Sequence, residues 1–364
     1  MSSQFGKLFR ISLYGESHGN SVGCIIEGLP PGFKVDLDFV HSRLDQRKPD
    51  SSGLTTSRNE KDEYDVLSGL YNGKTTGTPL SVRFANKDQR SSDYRESDMV
   101  FRPGHADYTG FIKYSGANDP RGGGHFSGRL TAPIVFAGAI AEQILISKGI
   151  EVVSQLLSVG ALQGKTLEDM NEATVRHIDG LKYAIHPDYS EKFLEEIRKT
   201  GERGDSIGGV VETVITGVKP GIGEPFFDSL ESTLAHGLFS IPGVKGVSFG
   251  AGFGFSRMNG SVANDRFLKN SKGTVITATN RSGGINGGIS NGMPIKFDCA
   301  VKPTPSIAME QETLDFGTME NSTLSIKGRH DPCVALRAVH VVRAVAAMVI
   351  CDQIFISRGI NGND

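Results

Sequence analysis

Residues 13–32 read LYGESHGNSVGCIIEGLPPG, and the second half of that stretch decides the fold. SVGCIIEGLPPG (Ser21–Gly32) opens a β-branched strand with Ser-aliphatic-Gly, closes it on Glu27 and leaves through Pro-Pro-Gly. SIGGVVETVITGVKPG (Ser206–Gly221) repeats the plan, and GGISNGMPI (Gly287–Ile295) is a fainter third copy. Chance and duplication both produce such echoes; duplication predicts two similar sheets facing one another. Short β-branched or alternating runs predict strands at 8–13, 23–27, 80–84, 208–215, 246–249, 274–277 and 295–300. Helical spacing marks 38–47, 131–148, 189–199, 225–240 and 334–357. Strands and helices do not alternate strictly, so α+β layers are expected rather than a doubly wound parallel sheet. Several helices are apolar on more than one face, which predicts that they are sandwiched. No low-complexity linker divides residues 1–364, read here as one compact domain. Two polar stretches, 50–62 and 84–98, read as loops suited to be lids.

The chain carries a formal net charge of −2, which argues against a general nucleic-acid or membrane-surface binder. An anionic small molecule stays open, because a site needs only a local cluster of arginines. The 46 glycines imply many tight turns and close backbone approaches. Cys24, Cys299, Cys333 and Cys351 show no C-x-x-C spacing and read as buried small hydrophobes of a reduced compartment, not a metal site. The N-terminal residues lack a continuous apolar run, so no secretory signal is expected. The most apolar stretches are broken by Pro133 and Glu142, and by Arg343 and Asp352, which favours core helices over membrane spans. A cytoplasmic protein is expected.

Several constellations could carry chemistry. His18 lies in GESHG (15–19), and His105 follows Pro and Gly in RPGHAD (102–107). Imidazole titrates near neutrality, so either could move a proton; either could equally satisfy its own turn. DPRGGGHFSGRLTAP (119–133) places three glycines, His125, Ser127 and Arg129 just before an apolar helix, a junction that suits a phosphate or carboxylate. It matches neither a P-loop nor a dinucleotide fingerprint. NRSGGINGGISNG (280–292) and KPTPS (302–306) offer backbone for a flat ring, with Lys302, Thr304 and Ser306 as polar contacts. Arg329 and Arg337 flank the start of the last helix, as anion ligands or as a solvated turn. Asp352 sits among apolar residues further along that helix and needs a partner or a proton-handling role.

Taken in order, GESHG, RPGHAD, RGGGHFSGR (121–129), SGGINGGIS (282–290), KPTPS and GRHDPC (328–333) resemble the chorismate synthase family along nearly the whole chain. The resemblance implies an α+β fold with helices between antiparallel sheets, a homotetramer, and loss of phosphate and a ring hydrogen from 5-enolpyruvylshikimate 3-phosphate to give chorismate. It also implies a requirement for reduced FMN without net redox change. His18 matches the histidine serving the flavin, His105 the one that protonates departing phosphate, and Asp352 a carboxylate that helps move the flavin proton. Substrate contacts are implied for Ser17, Arg47, Arg102, Arg129 and Arg337, with Arg47 alternatively a nicotinamide-nucleotide contact. FMN contacts are implied for His125, Phe126, Ser127, Pro242, Gly243 and Gly287. The same holds for Lys302, Pro303, Thr304, Pro305, Ser306 and Arg329. Two departures stand out: many members read Arg-Ser-Ser at 125–127, and a second arginine often found beyond Arg47 is Gly53 here. The second departure weakens an NADPH site, so an enzyme without its own flavin reductase is expected, with NADPH only an indirect reductant and an external reductase as partner. The competing expectations are an FMN oxidoreductase acting on a small anion, and an anion-binding protein without chemistry.

Overall fold

The computed structural model describes residues 3–50, 52–56, 62–87, 100–326 and 330–361, the last four as backbone only. Two five-stranded antiparallel sheets lie on either side of paired helices. The first sheet runs Gln4–Phe5, Arg10–Gly15, Ser21–Glu27, Leu80–Ala85, Tyr64–Ser68. The second runs Val244–Phe249, Ile295–Val301, Gly209–Thr216, Glu151–Val159, Leu162–Gln163. Both strands of the sequence echo are therefore the middle strand of their sheet. The order of elements differs between the halves, because the second inserts two helices, Glu172–Gly180 and Pro187–Glu202, between Glu151–Val159 and Gly209–Thr216. The other larger helices are Leu37–Arg47 and Thr131–Ile146 in the first half, Leu230–Phe239 and Ala335–Asn361 in the second. The faint third copy is different, since it falls in a short hairpin, Ile285–Asn286 with Ile289–Ser290.

The α+β sandwich follows from where apolar surface has to go. Thr131–Ile146 packs on the strands of the first sheet, Ala335–Asn361 packs on the second, and the two helices pack on each other. Each is apolar all round, as a helix covered on two sides must be, and in each about 89% of the most apolar stretch is buried. The polar interruptions are paired inside the protein. Arg43 of the first helix bonds Glu142 and Asp179, and Arg343 bonds Asp179 at 2.7 Å. A buried carboxylate or guanidinium persists only with such partners. All four cysteines are buried and unpaired, and burial pushes the Cys299 and Cys333 thiols up to about 12.

Two sequence expectations are corrected. The helix expected over 225–240 begins at Leu230, because Ser229 caps it by accepting from the Ser232 N–H; Phe226–Asp228 forms a separate turn with Phe226 at φ +61°. Glu151–Val159 is a nine-residue strand absent from the pattern reading. It is buried on both faces for most of its length, so its sequence, EVVSQLLSV, shows no clean alternation.

The two long helices approach closely at Gly138. A Cβ there would lie 2.4 Å from Ala344 Cβ and 2.5 Å from its Cα. Helix propensity alone favours Gly→Ala by about 1 kcal/mol, but overpacking against backbone costs about 1–3 kcal/mol. Gly138→Ala should therefore lower the denaturation midpoint; an unchanged or raised midpoint would refute this contact.

Candidate active site

Gly122, Gly123 and Gly124 have φ of +61°, +93° and +53°, a left-handed run that residues with a Cβ rarely adopt. The absent side chains are where two histidines pack. A Cβ on Gly122 would lie 2.5 Å from His18 Cδ2 and Nε2 and 2.8 Å from Ser17 Oγ. One on Gly123 would lie 3.2 Å from His105 Cε1. Ser17 closes the arrangement by donating its N–H to the Gly124 carbonyl at 3.2 Å. Sequence-distant imidazoles are thus held on one loop.

Beside that loop opens a cavity of about 670 Å³, within the range of small-molecule sites. From the first half it is lined by Arg47, His105, Gly122 and residues 125–128. From the second it is lined by residues 239–245, residues 302–306, Asp331 and Arg337. Of the residues singled out from sequence, His105, Arg47, Arg337, His125, Phe126, Ser127, Pro242, Gly243 and residues 302–306 reach the cavity. His18 and Ser17 pack against Gly122, one of its walls. Arg102 and Arg129 stand behind it. Gly287 does not line it, lying in the turn between Ile285–Asn286 and Ile289–Ser290. Arg329, residues 51 and 57–61 of the first polar loop and residues 88–98 of the second lie outside the described residues.

Asp352 also lies off the cavity lining, and its partners are backbone. Its carboxylate accepts from the N–H groups of Lys7 (2.9 Å), Leu8 (2.7 Å) and Phe9 (2.9 Å), tying the last helix to the N-terminal strands. The carboxylate that does line the cavity is Asp331, not singled out from sequence. It accepts from the Thr56 N–H and from Arg337 Nη1, each at 2.9 Å. Its place in GRHDPC was the available signal. Lys245, also on the cavity wall, had no motif to mark it.

Charge is arranged in two ways. Asp62, its side chain 1% exposed, bridges Arg47 and Arg129. Burial pushes the Asp62 carboxyl up, but the two guanidiniums outweigh it and hold it below the usual carboxylate range. Arg129 Nε also donates to Asn86 Oδ1 at 3.0 Å, while Asn86 Nδ2 donates to the Glu16 and Gly19 carbonyls. The arginine pair therefore braces the turn that carries His18. Lys245 and Lys302, by contrast, have no carboxylate at ion-pair distance among the described residues. Burial, and then the neighbouring Lys245, lowers the Lys302 ammonium. The His125 ring bonds the Gly15 carbonyl at 2.8 Å.

A sheet–helix–sheet fold whose two halves close on histidines, cations and a glycine loop defines an enzyme for a small anionic substrate. A profile of the chorismate synthase family matches residues 9–355. The chorismate synthase of Dehalococcoides mccartyi strain BAV1 is 45% identical over 354 residues, covering 97% of this chain and 96% of that one. That of Thermococcus kodakarensis is 43% identical over 357 residues, covering 98% and 99%. A crystal structure of chorismate synthase superposes with a TM-score of 0.76 at 28% identity, over 97% of this chain and 94% of the other. The chain belongs to the chorismate synthase family, lyases of the last step of the shikimate pathway.

Removing the charge of Asp62 leaves Arg47 and Arg129 buried together. Asp62→Asn should destabilise the protein by about 3–5 kcal/mol at neutral pH. Because the folded carboxyl titrates below its unfolded value, its stabilisation is complete above about pH 4 and is lost as pH falls through the folded value. Melting temperatures of wild type and variant should accordingly converge in acid; a constant gap from pH 7 to 3 would contradict the bridge.

Proposed function

We propose that this protein eliminates phosphate and a ring hydrogen from 5-enolpyruvylshikimate 3-phosphate, giving chorismate, in the presence of reduced FMN. The observation that carries this reading is the convergence of His18 and His105 on the Gly122–Gly124 loop, at a cavity holding Arg47, Arg337, Lys245 and Lys302. A substrate with one phosphate and two carboxylates needs such a collection of cations in a chain whose net charge is −2.

The cavity fits a flavin. Gly243, at φ +92°, leaves its backbone open, with the nearest side-chain atoms 3.7 Å or more from a built Cβ. Ile241, Pro242, Val334, Ala338 and Val341 supply an apolar wall for a ring. Lys245 and Lys302 are suited to its phosphate, and Ser127 and residues 303–306 to its polar edges. Bound reduced FMN would lend electron density to the substrate and recover it, leaving no net redox change.

The remaining work belongs to side chains. His18, packed on Gly122, would keep the flavin's ring edge protonated. His105 donates a proton to the leaving phosphate. Arg47 and Arg337 bind substrate anions, with Arg129 and Arg102 fixing the groups around them. For the last proton transfer the resemblance points to Asp352, which lies off the cavity lining with its oxygens engaged by three backbone N–H groups; Asp331 lies on the cavity wall, its own oxygens engaged by the Thr56 N–H and Arg337. The enzyme is proposed to be cytoplasmic and to take reduced flavin from an external reductase. Phe226, Phe227 and Phe253, each at least 85% exposed, are surfaces that a homotetramer would cover.

Anaerobic phosphate release, with and without chemically reduced FMN, tests this reading. Release should require the reduced flavin, yet consume no reductant per turnover. His18→Ala and His105→Ala should each slow it by about a hundredfold or more. One reductant consumed per turnover would make the protein an oxidoreductase; unaffected histidine variants would remove the proposed chemistry. NADPH alone should support no turnover without added reductase.

A further inference from the structure

The contacts around His105 assign a role to a residue that the proposed reaction has not used. His105 Nδ1 lies 2.6 Å from Asp107 Oδ1. Asp107 is itself gripped from the other side: Arg102 Nε reaches Oδ2 and Nη2 reaches Oδ1, each at 2.7 Å, and the Arg102 N–H donates to Oδ2 at 3.1 Å. Both carboxylate oxygens are therefore occupied by donors. Burial raises the Asp107 carboxyl, but the hydrogen bonds from Arg102 and His105 outweigh it and hold it well below the usual range. An acceptor-only carboxylate leaves one choice for the imidazole, which must present N–H at Nδ1.

We propose that Asp107 is the positioning residue for His105, fixing its Nδ1–H form so that Nε2 is the nitrogen that exchanges a proton with the substrate. The inference rests on the reading of His105 as the acid toward departing phosphate. In that step the Nε2–H bond breaks and an O–H bond forms on the phosphate oxygen. The ring becomes neutral and keeps its proton on Nδ1, hydrogen-bonded to Asp107. Nε2 is on the side of the glycine loop, 3.5 Å from where a Gly123 Cβ would be. Arg102 completes the frame. Its bidentate grip prevents Asp107 from rotating, while Nη1 extends to Ser306 Oγ at 3.4 Å, linking the His105 loop to the 302–306 loop. The other charged or titratable groups around His105 are Lys302, which donates to the Gly104 carbonyl, and His18 across Gly122. The partner of Nδ1 is Asp107.

Two measurements decide the matter, and the first does not depend on catalysis. Histidine-ring 15N NMR of the ligand-free wild-type protein, with His105→Gln to assign the signal, should show neutral His105 protonated at Nδ1. A ring protonated at Nε2 would overturn the proposal even if the protein releases phosphate as expected. The second is a double-mutant cycle on phosphate release. Asp107→Asn should lower kcat by about tenfold or more with KM little changed, and should move the alkaline fall in rate to lower pH by about one unit. Asp107→Glu should restore part of the rate. In a His105→Ala background, Asp107→Asn should add nothing further; additive losses would mean that Asp107 acts independently of His105. Absence of phosphate release by the wild type would sink the proposed function, while the NMR result would still decide how His105 is held.

Discussion

The site depends on three consecutive residues that have no side chains. Gly122–Gly124 turn through a left-handed backbone, and the space a Cβ would fill at the first two is taken by His18 and His105. Their own turns are set separately: Asn86 anchors GESHG, and Asp107 with Arg102 anchors RPGHAD. The glycine loop brings the two turns together. Three left-handed residues in a row carry an entropic cost that one tight turn would not, which makes sense for a loop whose task is close approach.

Electrostatics follows from the same need. Guanidinium groups in and around the cavity are matched by carboxylates, Asp62 with Arg47 and Arg129, Asp107 with Arg102, and Asp331 with Arg337. Pre-paired arginines are fixed in orientation, and a buried charge is tolerated only in that state. The two lysines of the cavity wall lack such partners among the described residues. Binding an anion there recovers an attraction that the protein does not supply itself, whereas at the arginines it must share or displace one.

Much of this was legible from sequence, for reasons that differ by residue. The echo strands were readable because short β-branched runs end in Glu and Pro-Gly turns, and the long helices because apolar spacing over so many residues has few other meanings. Glu151–Val159 was hidden since burial on both faces erases alternation. The break before Leu230 was hidden because Ser229 caps a helix in a run that already had helical spacing. Among site residues, the glycine-flanked histidines announced themselves through composition. Asp352 attracted attention as a carboxylate among apolar residues, but that signal marks a buried acceptor of any kind, and here the donors are three backbone amides. Asp331 lay inside a motif already noted, where the neighbouring arginine drew the reading. No periodicity could place Lys245 on the cavity wall, since that follows only from the pairing of Val244–Phe249 with Ile295–Val301.

Division of labour between the two halves gives the helix contact its significance. His18, His105 and the glycine loop come from the first half; Lys245, Lys302, Asp331 and Arg337 come from the second. Each half presents its part from the end of its own sheet or from the start of its long helix. The distance between the histidines of the first half and the lysines of the second then depends on how closely Thr131–Ile146 approaches Ala335–Asn361. At Gly138 and Ala344 there is no slack, because the atoms that would collide belong to backbone as well as to a methyl group. Interiors packed in this way resist gradual deformation. A substitution there acts on geometry at a distance, by moving one set of functional groups against the other without touching either.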